Sequence, residues 1–378
     1  MNYVTPETTE IHAGRNLAGS DSALVGANWL PSDVRVRNAR VEEDLQGFKM
    51  TLDGNGFELR NESAIGSASG PSSMPQILRG IDFCHQDDVV DLYYPLCETL
   101  VETCLAASSA TAAGRSHPRI ACVRAFDHNV RSSEKASLGT LRSKGSHASA
   151  SASASATTAA STNAEIQNPA GLVHADYTRD SAPRRLLDLS RPPKANDVLR
   201  SKLTNLSQSS LLDPTMVHEA LDGRRRYAFV NVWRNIDRHH PVESLPLACV
   251  DASSSSVHNL RTFFIHYPDR VGENYFVCPE NNQEGEEKEE RQRQPSESRQ
   301  HQWYYYRGMV TEEALLIKQW DSCGSIALGR NRDDARTKNA RPSTFAIHSA
   351  FVDPSSPVDA KPRSSIEVRC IVIWESEE

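Results

Sequence analysis

No two of the eight cysteines form a Cys-x-x-Cys pair, no apolar run is long enough to span a bilayer, and neither sign of charge is in large excess. Each absence removes a class of function. Cysteines at 84, 97, 104, 122, 249, 278, 323 and 370 fit no zinc spacing and are expected to be reduced and packed as small apolar residues. With 24% charged residues, a net charge of -7 and a pI near 6.0, there is no strong attraction towards nucleic acid or an anionic membrane. A small-molecule substrate fits that balance better than a polyanion does. The opening residues, Met1 to Glu7, lack the basic start and apolar core of a signal peptide, so a cytoplasmic protein is expected. No repeat of fixed period is evident.

What is present reads as one folded unit with insertions. The 378 residues exceed a typical domain, but jelly rolls and barrels use roughly 200–250 residues as one unit, so a single domain over 1–378 is expected. Within it, 1–81 reads as an amino-terminal extension with early strands. Residues 132–163 form a Ser/Ala/Thr-rich run with too little apolar bulk to offset its ordering entropy. Residues 281–300 are almost entirely Glu, Gln, Arg, Lys, Asn and Ser, and a smaller insertion lies between Arg330 and Arg341. These insertions are expected to be disordered loops.

Segments 226–234, 260–266, 302–306, 344–351 and 366–374 are rich in β-branched and aromatic residues and read as strands. Helices are fewer. Asp213 as N-cap with Pro214 behind it and Gly223 as a stop marks one, Thr311 before 312–320 marks a second, and 95–105 a third. Many strands with a few flanking α-helices imply a mainly β chain built as an antiparallel double-sheet jelly roll.

The chemistry is carried by His174-Ala175-Asp176, answered near the end of the chain by His348 and then Arg363-Ser364-Ser365. Alternate residues of a strand share a face, so His174 and Asp176 point together while Ala175 points away. Two imidazoles and one carboxylate occupy one face of an octahedral Fe(II) and leave positions open for a co-substrate and O2. His348 shares its face with Ala346 and Ala350, which leave room beside a metal. Arg363 and Ser365 alternate onto one face, where a guanidinium fork and a hydroxyl suit a carboxylate. Arg369 shares that parity and is a second candidate, although Glu367 on the same face makes a structural ion pair the alternative. The segment 231–234 offers an amide, Trp233 and Arg234 for orienting a ligand, and 303–306 offers aromatic pocket lining. Among 13 histidines, His85-Gln86-Asp87 is a decoy with the same spacing and His128 a rival ligand. Tyr177, Thr178 and Ser349 are the nearest candidates for orienting the ligands.

In order along the chain, Phe126–Arg131, Val173–Thr178, Asn231–Arg234, Pro246–Ala248 with Asp251, Trp303–Tyr306, Leu315–Ser322, His348–Phe351 with Asp353-Pro354, and Pro362–Arg369 resemble the AsaB-type hydroxylase/desaturase family, which includes fungal gibberellin desaturase and related secondary-metabolite oxygenases. The resemblance runs from about Asp82 to the end. It implies an Fe(II)/2-oxoglutarate-dependent dioxygenase on a cupin-like double-stranded β-helix, with His174, Asp176 and His348 as the metal triad and Arg363 and Ser365 as the 2-oxoglutarate anchor. Such an enzyme hydroxylates or desaturates a small molecule with O2 and releases succinate and CO2. Asn235 stands where the family often has proline, and the two long insertions depart from its compact pattern. A cupin-like metal protein without oxygenase activity, an inactive binding module, and a chain whose polar loops recruit partners remain as alternatives.

Overall fold

The structure is a computed structural model that describes residues 1–14, 24–62, 76–111, 119–134, 166–194, 197–268, 270–279, 300–333 and 341–376. All but the first three residues of the 132–163 run, the charged insertion up to 299, and residues 334–340 lie outside the described residues.

The described strands are β1 (Asn2–Val4), β2 (Glu10–Gly14), β3 (Trp29–Pro31), β4 (Val36–Asn38), β5 (Phe57–Asn61), β6 (Ile120–Ser132), β7 (His174–Ala175), β8 (Tyr227–Asn235), β9 (Leu247–Val250), β10 (Leu260–His266), β11 (Val271–Val277), β12 (Trp303–Tyr305), β13 (Glu313–Asp321), β14 (His348–Ala350) and β15 (Ser364–Trp374). The longer helices are α1 (Ala39–Gln46), α2 (Tyr94–Thr111), α3 (Ser181–Leu189), α4 (Arg200–Asn205) and α5 (Pro214–Leu221). The chain is therefore mainly β. One sheet has eight strands in the order β2-β10-β11-β7-β14-β9-β12-β4, a second has five in the order β5-β13-β8-β15-β6, and β1 pairs with β3. Strands from the first 81 residues are woven into both large sheets, β2 beside β10, β4 beside β12 and β5 beside β13.

Local chemistry accounts for most element ends. Asp213 accepts a hydrogen bond from the Met216 amide at 3.0 Å, Pro214 fills the first helical position, and Gly223 adopts φ +77° just past α5. The segment 344–351 pairs as a strand only over its last residues, in β14, although it is buried throughout.

The expected helix over 312–320 is instead β13. Its Glu, Ala, Leu, Lys and Gln residues favour helix intrinsically, but a short continuous apolar run also suits a strand buried on both faces. Here β13 pairs with β5 on one side and β8 on the other, and all nine residues are buried. Thr311 caps nothing there; its hydroxyl donates to the Asp237 carbonyl at 2.8 Å. Lys318, which a helix would have turned to solvent, is fully buried and meets Asp53 at 2.6 Å and Asp321 at 2.9 Å.

Register assigns the two faces of the five-stranded sheet. Ile366, Val368 and Cys370 of β15 lie with Val230, Val232 and Arg234 of β8 on the face that α2 covers. Residues Ser365, Glu367 and Arg369 lie with Asn235, Trp233 and Asn231 on the other face, towards the eight-stranded sheet. There Trp233, Leu315 and Ile317 pack with Cys249 and Tyr304 of the opposing sheet and with Ala346. A check on this core is Leu316→Ala in β13, fully buried in the main cluster. It is expected to lower unfolding free energy by about 2–5 kcal/mol in chemical denaturation; a loss below about 0.5 kcal/mol, the range of ordinary surface changes, would contradict the buried strand.

Candidate metal centre

Strand β7 is two residues long and lies between β11 and β14, with His174 directly opposite His348 across the antiparallel ladder. Cross-strand partners project from the same face, which brings the imidazole centroids to 4.4 Å. Asp176 follows the last ladder residue, and its Oδ1 stands 3.7 Å from His174 Nε2. One ligand atom from each of His174, Asp176 and His348 falls within 4.8 Å of the others, and this is the only such His/Cys/Asp/Glu group among the described residues. Ala175 points into the core.

Each ring is oriented by its own chain. His174 Nδ1 donates to the Leu172 carbonyl at 2.7 Å and His348 Nδ1 to the Ala346 carbonyl at 3.1 Å. A carbonyl can only accept, so both rings carry their proton on Nδ1 and present Nε2 as the donor atom for a cation. Asp176 is held from the opposing sheet, where Asn231 Nδ2 donates to its Oδ2 at 3.0 Å and Arg369 Nε lies 3.8 Å from the same oxygen.

Burial pushes His174 down to about 4, helped by the neighbouring His348 and opposed by Asp176; burial likewise lowers His348. Burial alone would raise Asp176, but Arg369, the two histidines and Asn231 outweigh it and hold the carboxyl at about 2. Two neutral imidazoles and an ionised carboxylate are the donor set a divalent cation requires, and they fit Fe(II) with three adjacent positions left open.

The other expected residues divide. Arg363 is buried, donates through Nη1 to the Leu245 carbonyl at 2.6 Å and lies 5.4 Å from the Trp233 ring centroid. Its Nε and the Ser365 hydroxyl, both buried, have no hydrogen-bond partner. Burial, with Arg131 nearby, lowers Arg363 to about 9, and Glu367 opposes the shift in part. Arg369 is the reverse case: it meets Asp127 at 3.0 Å and Glu367 at 3.5 Å, and these carboxylates with Asp176 raise it despite burial.

Arg234 does not reach this site. It faces the opposite side of β8, where it donates to the Tyr93 hydroxyl at 2.8 Å, to the Thr311 carbonyl at 2.6 Å and to Glu62. His128 lies on that same far face with its Nδ1 2.8 Å from the Tyr94 hydroxyl, and His85 pairs with Asp88 at 3.2 Å. Tyr177 stacks on Phe229, Thr178 donates to Glu273, and Ser349 donates to the Ala350 carbonyl, so the orienting groups are Asn231 and two backbone carbonyls instead. Trp303, Tyr305 and Tyr306 tie their polar ends to Tyr3, Asp353 and Glu43. Asn235 donates to the carbonyls of His240 and Met309, a use of its side chain that proline would not allow.

A cleft of about 220 Å³ opens between α3, the β10–β11 hairpin and β6, and Asp176, Tyr177 and Arg369 lie at its wall with Ser181, Arg184 and Glu273. Of the three triad residues only Asp176 lines it.

This is a mainly β protein with a candidate centre of two histidines and one carboxylate. Residues 1–209 and 204–373 match the family model described as YDMC: Oxidoreductase/YMDC permease-like domain. No helix among the described residues is long and apolar enough to cross a membrane. The chain belongs to this family. It is similar to "Uncharacterized protein in dcmA 3'region" of Methylophilus leisingeri, 28% identical over 60% of this chain and 82% of that protein. The hydroxylase/desaturase asaB of Aspergillus flavus is 31% identical over 48% of this chain and 65% of its own length. Across the hydroxylase/desaturase relatives the match spans 44% to 65% of their lengths. The solved structure of the iron and alpha-ketoglutarate-dependent endoperoxidase NvfI matches with a TM-score of 0.57, covering 100% of this chain and 97% of that one at 20% identity, a likeness of fold.

Two outcomes check the centre. His174→Ala and Asp176→Ala should each weaken Fe(II) or Co(II) binding at least tenfold in calorimetric titration, and wild-type affinity in either would remove that residue from the ligand set. Because His174 binds its proton only near pH 4, metal affinity should hold through the neutral range and fall as pH drops through about 5 to 4. A loss centred near 6.5 would mean an imidazole unperturbed by burial.

Proposed function

We propose that this chain is an Fe(II)/2-oxoglutarate-dependent oxygenase that hydroxylates or desaturates a small molecule, in keeping with the secondary-metabolite enzymes among its relatives. The observation that carries the reading is the convergence of one ligand atom from each of His174, Asp176 and His348 within 4.8 Å. Arg363 and Ser365, buried with unpartnered donors on the same sheet face as Glu367, support it. When bound, Fe(II) with 2-oxoglutarate and O2 supplies oxidation of a substrate C–H bond coupled to release of succinate and CO2.

The work of the protein residues is to bind, orient and exclude water. His174, Asp176 and His348 hold the cation from one side. Arg363 and Ser365 receive the far carboxylate of 2-oxoglutarate, the guanidinium steadied against Trp233 and the Leu245 carbonyl. Arg369 stays with Asp127 and Glu367 and is a structural ion pair in this reading. The substrate reaches the centre through the cleft beside Asp176. We further infer that the two large sheets form the double-stranded β-helix of a single oxygenase domain over 1–378, working in the cytoplasm. In it 1–81 supply edge strands.

Purified protein with Fe(II), ascorbate and O2 should convert 2-oxoglutarate to succinate, with stoichiometric coupling once the substrate is supplied. Metal binding without any succinate would select the non-oxygenase alternative. Arg363→Ala should raise the half-saturating 2-oxoglutarate concentration about 30-fold or more, from the roughly 2–5 kcal/mol lost on truncating one partner of a buried charge pair. An unchanged requirement would move the anchor away from Arg363.

A further inference from the structure

Asp176 is held differently from the two histidines it accompanies. Each histidine is aimed by a carbonyl two residues earlier in its own segment, so its orientation comes with the local backbone. Asp176 lies one residue beyond a strand only two residues long, and the groups on its outer oxygen come from the opposing sheet. Asn231 sits in β8, buried throughout, and every residue of that strand is packed.

One orientation of the Asn231 amide satisfies both of its donor hydrogens, while its Oδ1 is buried without a partner. One Nδ2 hydrogen goes to Asp176 Oδ2 at 3.0 Å and the other to Glu367 Oε1 at 2.9 Å. Turning the amide over would set Oδ1 against two carboxylates, so the network itself assigns the atoms. The bond occupies Oδ2, and Oδ1 is the oxygen that lies towards His174 Nε2, at 3.7 Å.

We propose that Asn231 is a positioning residue for the metal centre: by engaging Oδ2 from across the sandwich it makes Asp176 a one-oxygen ligand through Oδ1 and fixes the angle at which that oxygen meets the histidine nitrogens. This rests on the reading of the triad as a metal site. Partners of ligating side chains commonly change metal affinity 10–100-fold when removed.

The test uses the full chain with Co(II) as the probe, read by its d–d absorption and by titration, and with 2-oxoglutarate affinity measured at saturating metal. Asn231→Leu keeps the branched outline, with somewhat more bulk, and removes the donor. It should weaken Co(II) binding about 10–100-fold and shift the absorption spectrum, while 2-oxoglutarate affinity changes less than about threefold. Should the leucine variant fail to fold, Asn231→Ser serves in its place with the same expectation. In an Asp176→Ala background the Asn231 change should add nothing, because its effect passes through that carboxylate. Val232→Ala, on the opposite face of the same strand, should lower thermal stability and leave Co(II) affinity unchanged.

Wild-type affinity and spectrum in a folded Asn231 variant would overturn the proposal, and so would equal losses in the Val232 variant. If the wild-type protein binds neither Co(II) nor Fe(II), it is the triad that fails; if it binds and the Asn231 variant binds equally, only the positioning role does.

Discussion

Asp176 carries a carboxylate into the space between two β-sheets, where an isolated ionised group is strongly penalised, and the arrangement around it follows from meeting that cost. Burial acts to neutralise it; Arg369, His348, His174 and the Asn231 amide act together to keep it ionised. The same need explains why the inner face of the five-stranded sheet, elsewhere lined by Trp233, Leu315 and Ile317, turns polar at Asn231, Glu367, Arg369 and Asp127. A half-satisfied group in that strip would cost more than an apolar residue of the same size, so the members have to be present together.

The two sheets consequently divide the labour. The eight-stranded sheet supplies the histidines by backbone register, since β7 and β14 face each other at His174 and His348 and their rings are aimed by nearby carbonyls. Strands of two and three residues suffice because β11 and β9 brace them on their outer sides. The five-stranded sheet supplies the long polar side chains that reach across. Its far face is sealed by α2 and by Arg234, whose guanidinium ties β8 to Tyr93, Thr311 and Glu62 and so contributes rigidity to the strand that presents Asn231.

Strand periodicity and small neighbours made the triad legible in the sequence, because the shared face of His174 and Asp176 and the room beside His348 are local properties. Strands 226–234, 260–266 and 366–374 were legible for the same reason, being β-branched and aromatic along their length. The residues 312–320 were not, since an apolar run buried on both faces has no period of two, and its lysine and glutamine imitate the solvent face of a helix. Neighbours in sequence also misled for the orienting groups: Tyr177, Thr178 and Ser349 adjoin the ligands but make other bonds, whereas Asn231 is 55 positions away from Asp176 and meets it only through the packing of two sheets. Trp233 and Arg234 adjoin each other yet project from opposite faces, which a strand assignment alone would have indicated.

Charge pairing separates the two approaches to the centre. Along the cleft, positive and negative groups are matched within the protein, Arg184 with Glu273, Arg369 with Asp127 and Arg185 at 3.9 Å from Asp197. At Arg363 no ion pair forms among the described residues; Glu367 offsets only part of the burial cost, and Arg131 adds to the positive charge there. A site for one fixed dianion is best built with a cation held ready and undercompensated, because the ligand then supplies the missing charge and is selected by it. A path for a substrate whose form is set by other needs is better walled by charges that already cancel. Under the proposed function, this asymmetry fits the co-substrate to the Arg363 side and the molecule being oxidised to the cleft beside Asp176, an argument separate from the spacing of the three metal ligands.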